Sequence, residues 1–152
     1  MLKKRLKTTK MAITYHTETT PFRYRGRRAT TRWIRETAAE EGCRCGEVAV
    51  IFCTDDLLLA LNKKHLGHDY YTDIITFDYS ESDTIAGDLF VSVDTVADNA
   101  RGLNIPFAQE LQRVMIHGIL HLCGYPDKSE KEAAVMRAKE EYYLRKRAEA
   151  EP

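Results

Sequence analysis

The sequence predicts a single α+β domain of four strands and about five helices. Three observations carry this. A chain of 152 residues fits one domain with one core. Its 43% hydrophobic and 9% aromatic content suffices for a folded globule, and 30% charge suits a soluble one. Four short stretches are apolar or β-branched at strand length, while five others repeat their apolar residues at helical spacing, and no repeats or low-complexity segments interrupt them.

The elements follow in order. Residues 12–16 alternate and read as a short strand, and a loop with Pro21 follows. Residues 29–41 place Trp33, Ile34 and Ala38 at helical spacing. Gly42 and Gly46 bracket a turn into a continuous apolar run from Glu47 to Cys53, a second strand. Thr54, Asp55 and Asp56 supply a cap and early acids for a helix to about Lys64. A polar loop over 65–72 leads to a β-branched strand from Asp73 to Phe77. A polar hairpin-like link from Ser80 to Ala86 precedes the fourth strand, Gly87 to Val93. Asp94 is placed to cap a short helix to about Gly102, and Pro106 stands where the next helix begins. That helix runs from about Phe107 to Cys123. The last opens with the capping box Ser129–Glu132 and is expected to turn Val135, Met136, Lys139, Tyr142 and Tyr143 inward.

Net charge is zero but unevenly placed. Residues 1–35 hold eleven Lys or Arg against one acid, Glu18, which leaves 12 basic and 22 acidic residues in the remainder. A basic arm and first helix suit phosphate contacts; a solvated face behind a disordered tail is the alternative. Residues 1–10 read as a disordered basic extension ahead of a domain over 11–148, with Met11 an alternative start. No apolar run approaches the ~20 residues of a membrane span, and no apolar signal region follows the basic start. The four cysteines show no CxxC pair and no disulfide-framework spacing. These features point to a cytoplasmic protein with no membrane association and no disulfide-linked partner.

The chemistry concentrates in His117-Gly-Ile-Leu-His121 and in Asp127, six residues later. Histidines four apart on a helix share a face, with Cβ atoms roughly 5–6 Å apart. That spacing lets two imidazoles meet one ion at about 2.0–2.1 Å. The flanking Val114, Met115, Ile116, Ile119, Leu120 and Leu122 are apolar, so the helix is buried and its polar histidines need partners. Gly124 suits a left-handed helix end, Pro126 opposes continuation, and the chain can turn to bring Asp127 to the same ion. Two histidines and one carboxylate leave a fourth position open for water, as catalytic zinc sites do. The motif is not the HExxH of metalloproteases, because the position of the catalytic Glu is Gly118. Cys123, two residues from His121, points elsewhere and reads as a packed thiol.

At this helix a family resemblance becomes specific. His117-Gly-Ile-Leu-His-Leu-Cys-Gly-Tyr125 resembles the signature H-G-x-L-H-L-x-G-Y-D-H of the YbeY family, the metal-dependent rRNA maturation factors. Two further blocks support it in family order. The stretch from Asn62 to Phe77 is similar to N-x-x-Y-R-x-x-D-x-P-T-D-V-L-S-F, and Gly87-Asp88-Leu-Phe-Val-Ser92 to G-D-I-x-I-S. The resemblance implies a mixed four-stranded sheet packed with helices. It also implies a single-strand endoribonuclease of small-subunit rRNA 3′-end maturation and ribosome quality control, holding one zinc-like ion on three side chains. The implied partners are rRNA, the small ribosomal subunit and ribosome-associated proteins.

Two departures bear on the site. The family's third ligand is a histidine where this chain has Asp127, preceded by Pro126 instead of the usual Asp. A carboxylate can ligate zinc, although two histidines and a carboxylate also suit iron. The arginine of the middle block is Leu66 here, and that arginine is the group expected to hold a phosphate. His65, His68, Lys63 and Lys64 are substitutes in the same loop. The metal ligands are thus expected to be His117, His121 and Asp127, and the catalytic candidates His117 and His68. Asp88 and Glu110 are candidates for orienting a ligand histidine, while Thr72 and Asp73 enter a strand as turn residues. An assembly or RNA-binding factor with a structural metal is the rival reading, and a small-molecule metallohydrolase a third that leaves two blocks unused.

Overall fold

The computed structural model describes residues 12–68 and 71–151. The expected extension over residues 1–10 lies outside the described residues. Four strands, β1 (Ile13–Thr17), β2 (Arg44–Cys53), β3 (Ile74–Asp78) and β4 (Thr84–Ser92), form one sheet in the order β1-β2-β4-β3. β1, β2 and β4 are parallel and β3 runs antiparallel to β4, so the sheet is mixed, as expected. The helices are α1 (Arg27–Glu40), α2 (Asp55–Leu61), α3 (Val93–Leu103), α4 (Phe107–Leu122) and α5 (Glu130–Ala150). Five helices on a four-stranded sheet make the α+β domain that the pattern predicts.

β2 reads as an unbroken apolar run because both of its faces are covered. Val48, Val50 and Phe52 join the main core with Leu89, Val91, Ile116 and Leu120. Cys53 packs on the opposite side with Leu58 of α2 and Ile75. The strand starts three residues before its expected limit. Arg44 and Cys45 pair with Thr84 and Ile85, and the register shifts between Cys45 and Val48. Gly46 sits in that irregularity, where a Cβ would lie 2.8 Å from the Ile85 carbonyl. The same pairing starts β4 at Thr84 and shortens the expected polar link. Gly46 hides the start of β2, while β4 starts at Thr84-Ile85-Ala86, inside the link read as polar, although Ile85 is buried in the core.

One helix start differs from expectation. Ser92 caps α3, its hydroxyl accepting from Thr95 N at 3.1 Å, while Asp94 lies in the first turn and accepts from Asp55 N at 3.0 Å. α4 starts at Phe107, directly after Pro106, as expected. Thr54 caps α2, which continues into one wide turn over Asn62–Leu66 and ends at Gly67 with φ +68°. Gly118 sets the depth of α4 over the sheet, since a Cβ there would lie 2.8 Å from Ile74 Cδ1 and 3.0 Å from Leu89 Cδ2.

α5 carries the expected capping box between Ser129 and Glu132, but its buried stripe is rotated from the expected one. Met136, Glu140, Tyr143 and Arg147 face inward, while Val135 and Tyr142 are 44% and 36% exposed. Two charges enter because each finds partners. Arg147 donates to Thr30 Oγ1 at 3.1 Å and stacks over Trp33, whose Nε1 donates to the Tyr143 carbonyl at 2.9 Å. Glu140 reaches His117 of α4. Among the described residues no helix is long and apolar enough to cross a membrane, and all four cysteines are free.

Candidate metal centre

His117 and His121 stand on consecutive turns of α4 with ring centroids 4.6 Å apart. The helix ends as the sequence suggests. Gly124 adopts φ +104°, its N–H bonds to the His121 carbonyl at 2.9 Å, and Tyr125 N reaches back to Leu120 O at 3.0 Å. The chain then reverses and brings Asp127 Oδ2 to 3.3 Å from His117 Nε2 and 3.4 Å from His121 Nε2. Donors at about 2.0–2.1 Å around a tetrahedral ion stand about 3.3 Å from one another. The three ligand atoms lie within 4.8 Å of each other, so the group fits a divalent metal.

The far side of each ring is also set. His117 Nδ1 lies 2.6 Å from Glu140 Oε2, and His121 Nδ1 lies 2.8 Å from the Tyr125 carbonyl. A carbonyl can only accept, so the His121 proton sits on Nδ1 and the Nε2 lone pair faces Asp127. The Glu140 carboxylate imposes the same tautomer on His117. Neither Glu110 nor Asp88, the expected orienters, takes this part. Glu110 is fully buried and pairs with Arg113, which donates from Nε to Glu110 Oε1 at 2.9 Å. Asp88 accepts from the Tyr79 hydroxyl at 3.4 Å. Glu140 lies one position off the expected stripe, which Val135, Lys139 and Tyr142 had turned to the wrong face; its signal is a position four after Met136 and three before Tyr143, on the stripe that those residues bury.

Arg113 ties the site together. Beyond Glu110, its Nη1 lies 3.3 Å from Glu140 Oε1 and its Nη2 3.6 Å from Asp73 Oδ2. The hydrogen bonds to Glu110 hold its pKa above the ordinary arginine value. Burial pushes the Asp73 carboxyl up despite the nearby Arg113 and His117. The other anchor is Tyr125, whose hydroxyl donates to Glu41 Oε1 at 2.5 Å. Glu41 Oε2 accepts from Lys139 Nζ at 3.0 Å and from the Tyr143 hydroxyl. Burial opposes the Glu41 charge, but these bonds outweigh it and keep the carboxyl below its usual value. Cys123 is packed against the core, and burial raises its thiol pKa, in keeping with a packed thiol.

A cleft of about 910 Å³ opens over the three donors. Leu66 and His68 line it from the loop after α2, with Thr72 and Asp73 from the approach to β3, Arg113 from α4, and Lys128 beside Asp127. Of the substitutes named in that loop, His68 lines the cleft, while His65 packs edge-on against Phe77 at 5.5 Å; Leu66 is 48% exposed where the resemblance places an arginine.

The comparisons with known proteins agree with this architecture. The family model described as Endoribonuclease YbeY matches residues 12–148. The chain is 54% identical over 128 residues to an Endoribonuclease YbeY of Phocaeicola vulgatus, covering 84% of this chain and 93% of that one. It is 51% identical over 126 residues to that of Bacteroides thetaiotaomicron, covering 83% and 92%. The solution structure of TM1509 from Thermotoga maritima superposes with a TM-score of 0.62 at 31% identity, over 90% of this chain and 89% of that one. A match spanning nearly every element, with the helix of the paired histidines inside it, leaves one conclusion: the chain belongs to the YbeY endoribonuclease family.

Proposed function

We propose that this protein is a zinc-dependent, single-strand-specific endoribonuclease that matures the 3′ end of small-subunit rRNA and serves ribosome quality control in the cytoplasm. The observation that carries the reading is the donor set. Two imidazole Nε2 atoms each stand 3.3–3.4 Å from one carboxylate oxygen, all three donors lie within 4.8 Å of one another, and both opposite ring nitrogens are engaged. A bound divalent ion would supply Lewis acidity at a phosphate oxygen and lower the pKa of water beside it. The chain's own groups do the rest. His117, His121 and Asp127 hold the ion, Glu140 and the Tyr125 carbonyl keep the rings aimed, and Arg113 balances the carboxylates behind them. His68 and Lys128 line the cleft as cations or hydrogen-bond donors for phosphate oxygens.

Single-turnover cleavage of an RNA carrying an rRNA 3′-end extension tests the proposal, with metal-stripped protein and with protein reloaded with zinc or with ferrous iron. Cleavage that returns with zinc supports it, and cleavage that returns only with iron would change the metal. One observation favours the rival reading of an assembly factor with a structural metal: Leu66 occupies the position of the family's arginine. RNA binding with no cleavage in any metal-replete sample would decide for that rival.

A further inference from the structure

The metal cleft is poorly equipped to hold a polyanion unaided. Besides the three donors and the His68 imidazole it carries Asp73 and Asp78 against Arg113 and Lys128, and the Arg113 guanidinium is already engaged by Glu110 and Glu140. Backbone neutralisation supplies much of the affinity for nucleic acid, so an RNA strand in this cleft needs phosphate contacts elsewhere.

Such contacts stand at the other end of α4. In the segment between β1 and α1, Phe22 and Tyr24 are half-buried while Arg23 and Arg25 are exposed, and Arg27 opens α1. The rings lock the segment in place. Phe22 packs edge-on against Phe52 at 5.2 Å and against Phe107 at 5.8 Å, and Tyr24 packs on Phe52 at 5.2 Å and on Tyr15 at 5.6 Å. With alternate residues pinned inward, the arginines between them are held outward. Together with His16 they line an open groove of about 640 Å³. Among the described residues, the side chain of none of these three arginines makes an ion pair or a hydrogen bond. The sole acid among residues 12–35 is Glu18. Phe107 is the first residue of α4 and His117 lies ten residues further along it, about 15 Å at 1.5 Å per residue. The groove borders β1 and the cleft borders β3, the two edges of the sheet, so a bound strand crosses the width of the sheet as well.

We propose that the groove of Arg23, Arg25 and Arg27 docks the phosphodiester backbone of single-stranded RNA whose scissile segment lies in the metal cleft. The proposal rests on the RNA reading above, and its test does not depend on cleavage. Binding of a fluorescent, cleavage-resistant 2′-O-methyl RNA of about 12 nucleotides, within the usual site sizes, is followed by anisotropy across a salt series. The variant R23Q/R25Q/R27Q should bind about tenfold more weakly or worse, and its slope of log affinity against log salt should flatten by about 2, at ~0.7 per lost contact. R23K/R25K/R27K, which keeps the charge, should retain the slope. Zinc uptake of one equivalent by the glutamine variant excludes misfolding as the cause. Equal affinity and slope for parent and glutamine variant would overturn the proposal, as would salt-independent binding by the parent. A docking partner of another class, such as an acidic protein surface, would give that same null result. Metal-dependent cleavage, measured separately, decides the catalytic reading.

Discussion

His117 on α4 and Glu140 on α5 meet at 2.6 Å, Nδ1 to Oε2, across 23 residues of chain. The carboxylate sits on the buried stripe of its helix, and its second oxygen is held by Arg113 at 3.3 Å. Metal-ligating histidines depend on such partners for tautomer and aim. Glu140→Ala should therefore lower metal affinity about 10–100-fold while His117, His121 and Asp127 remain present. Competition with a chromogenic chelator measures it. An unchanged affinity would show that His117 needs no help from α5.

Asp127 is placed to be the third donor, 3.3 and 3.4 Å from the two imidazole nitrogens. Asp127→Ala should weaken zinc binding strongly, and Asp127→His should keep or raise it by restoring the ligand set that the family signature carries. Equal affinity for parent, alanine and histidine variants in the same titration would remove Asp127 from the site. H117A/H121A should take up no metal.

Leu66 and His68 line the cleft from the loop after α2. Leu66→Arg should raise the single-turnover cleavage rate by about tenfold or more, if charge at the phosphate oxygens is what the chain lacks. His68→Ala should lower the rate with metal content unchanged. Rates indifferent to both changes would place the loop outside the reaction.

Gly118 allows α4 to lie against β3 and β4, with Ile74 Cδ1 at 2.8 Å from where a Cβ would stand. Gly118→Ala should cost about 1–3 kcal/mol through overpacking, read as a lower urea midpoint with the slope unchanged. The same geometry explains why this helix cannot carry the HExxH glutamate: a side chain there enters the sheet interface, not the cleft. Full stability of the alanine variant would refute the close approach.

Glu41 accepts from Tyr125, Tyr143 and Lys139 with its side chain only 8% exposed. Its pKa is lowered in the fold from the ordinary 4.5. A depressed carboxyl contributes stability above its unfolded value and loses it as pH falls through the folded one. Glu41→Gln should cost about 1–3 kcal/mol near pH 7, where an ion pair and two hydroxyl bonds lose their charge. The difference from the parent should shrink as pH falls below 4.5. Thermal melts at neutral and acid pH measure both, and a pH-independent difference would exclude the linkage.

Much of the fold was legible because local rules agree with it. The i, i+4 histidines, the Gly124 stop and the Ser129–Glu132 box are short-range features whose physics acts within one or two helical turns, and they stand in the structure as the chain suggests. The strand start at Arg44 was not legible, because a ladder pairs backbone with backbone across Gly46, whereas at Thr84 the signal was present in the buried Ile85 but lay inside a link read as polar. The α5 stripe was misread for a different reason. Apolar residues at 135, 136, 142 and 143 fit two adjacent faces, and partners from α4 and α1 that accept Glu140 and Arg147 decide between them.

The sequence by itself determined the helix that bears the histidines, the turn that returns Asp127, and the family to which both belong, since each rests on spacing along the chain. Only the tertiary structure decided which groups stand behind those ligands and where the arginines face. Glu140 meets His117, Tyr125 meets Glu41, and Phe22 meets Phe107, through contacts 23, 84 and 85 residues apart in sequence. Hydrogen bonds and ring contacts act over a few ångströms of space, and separation along the chain does not enter them.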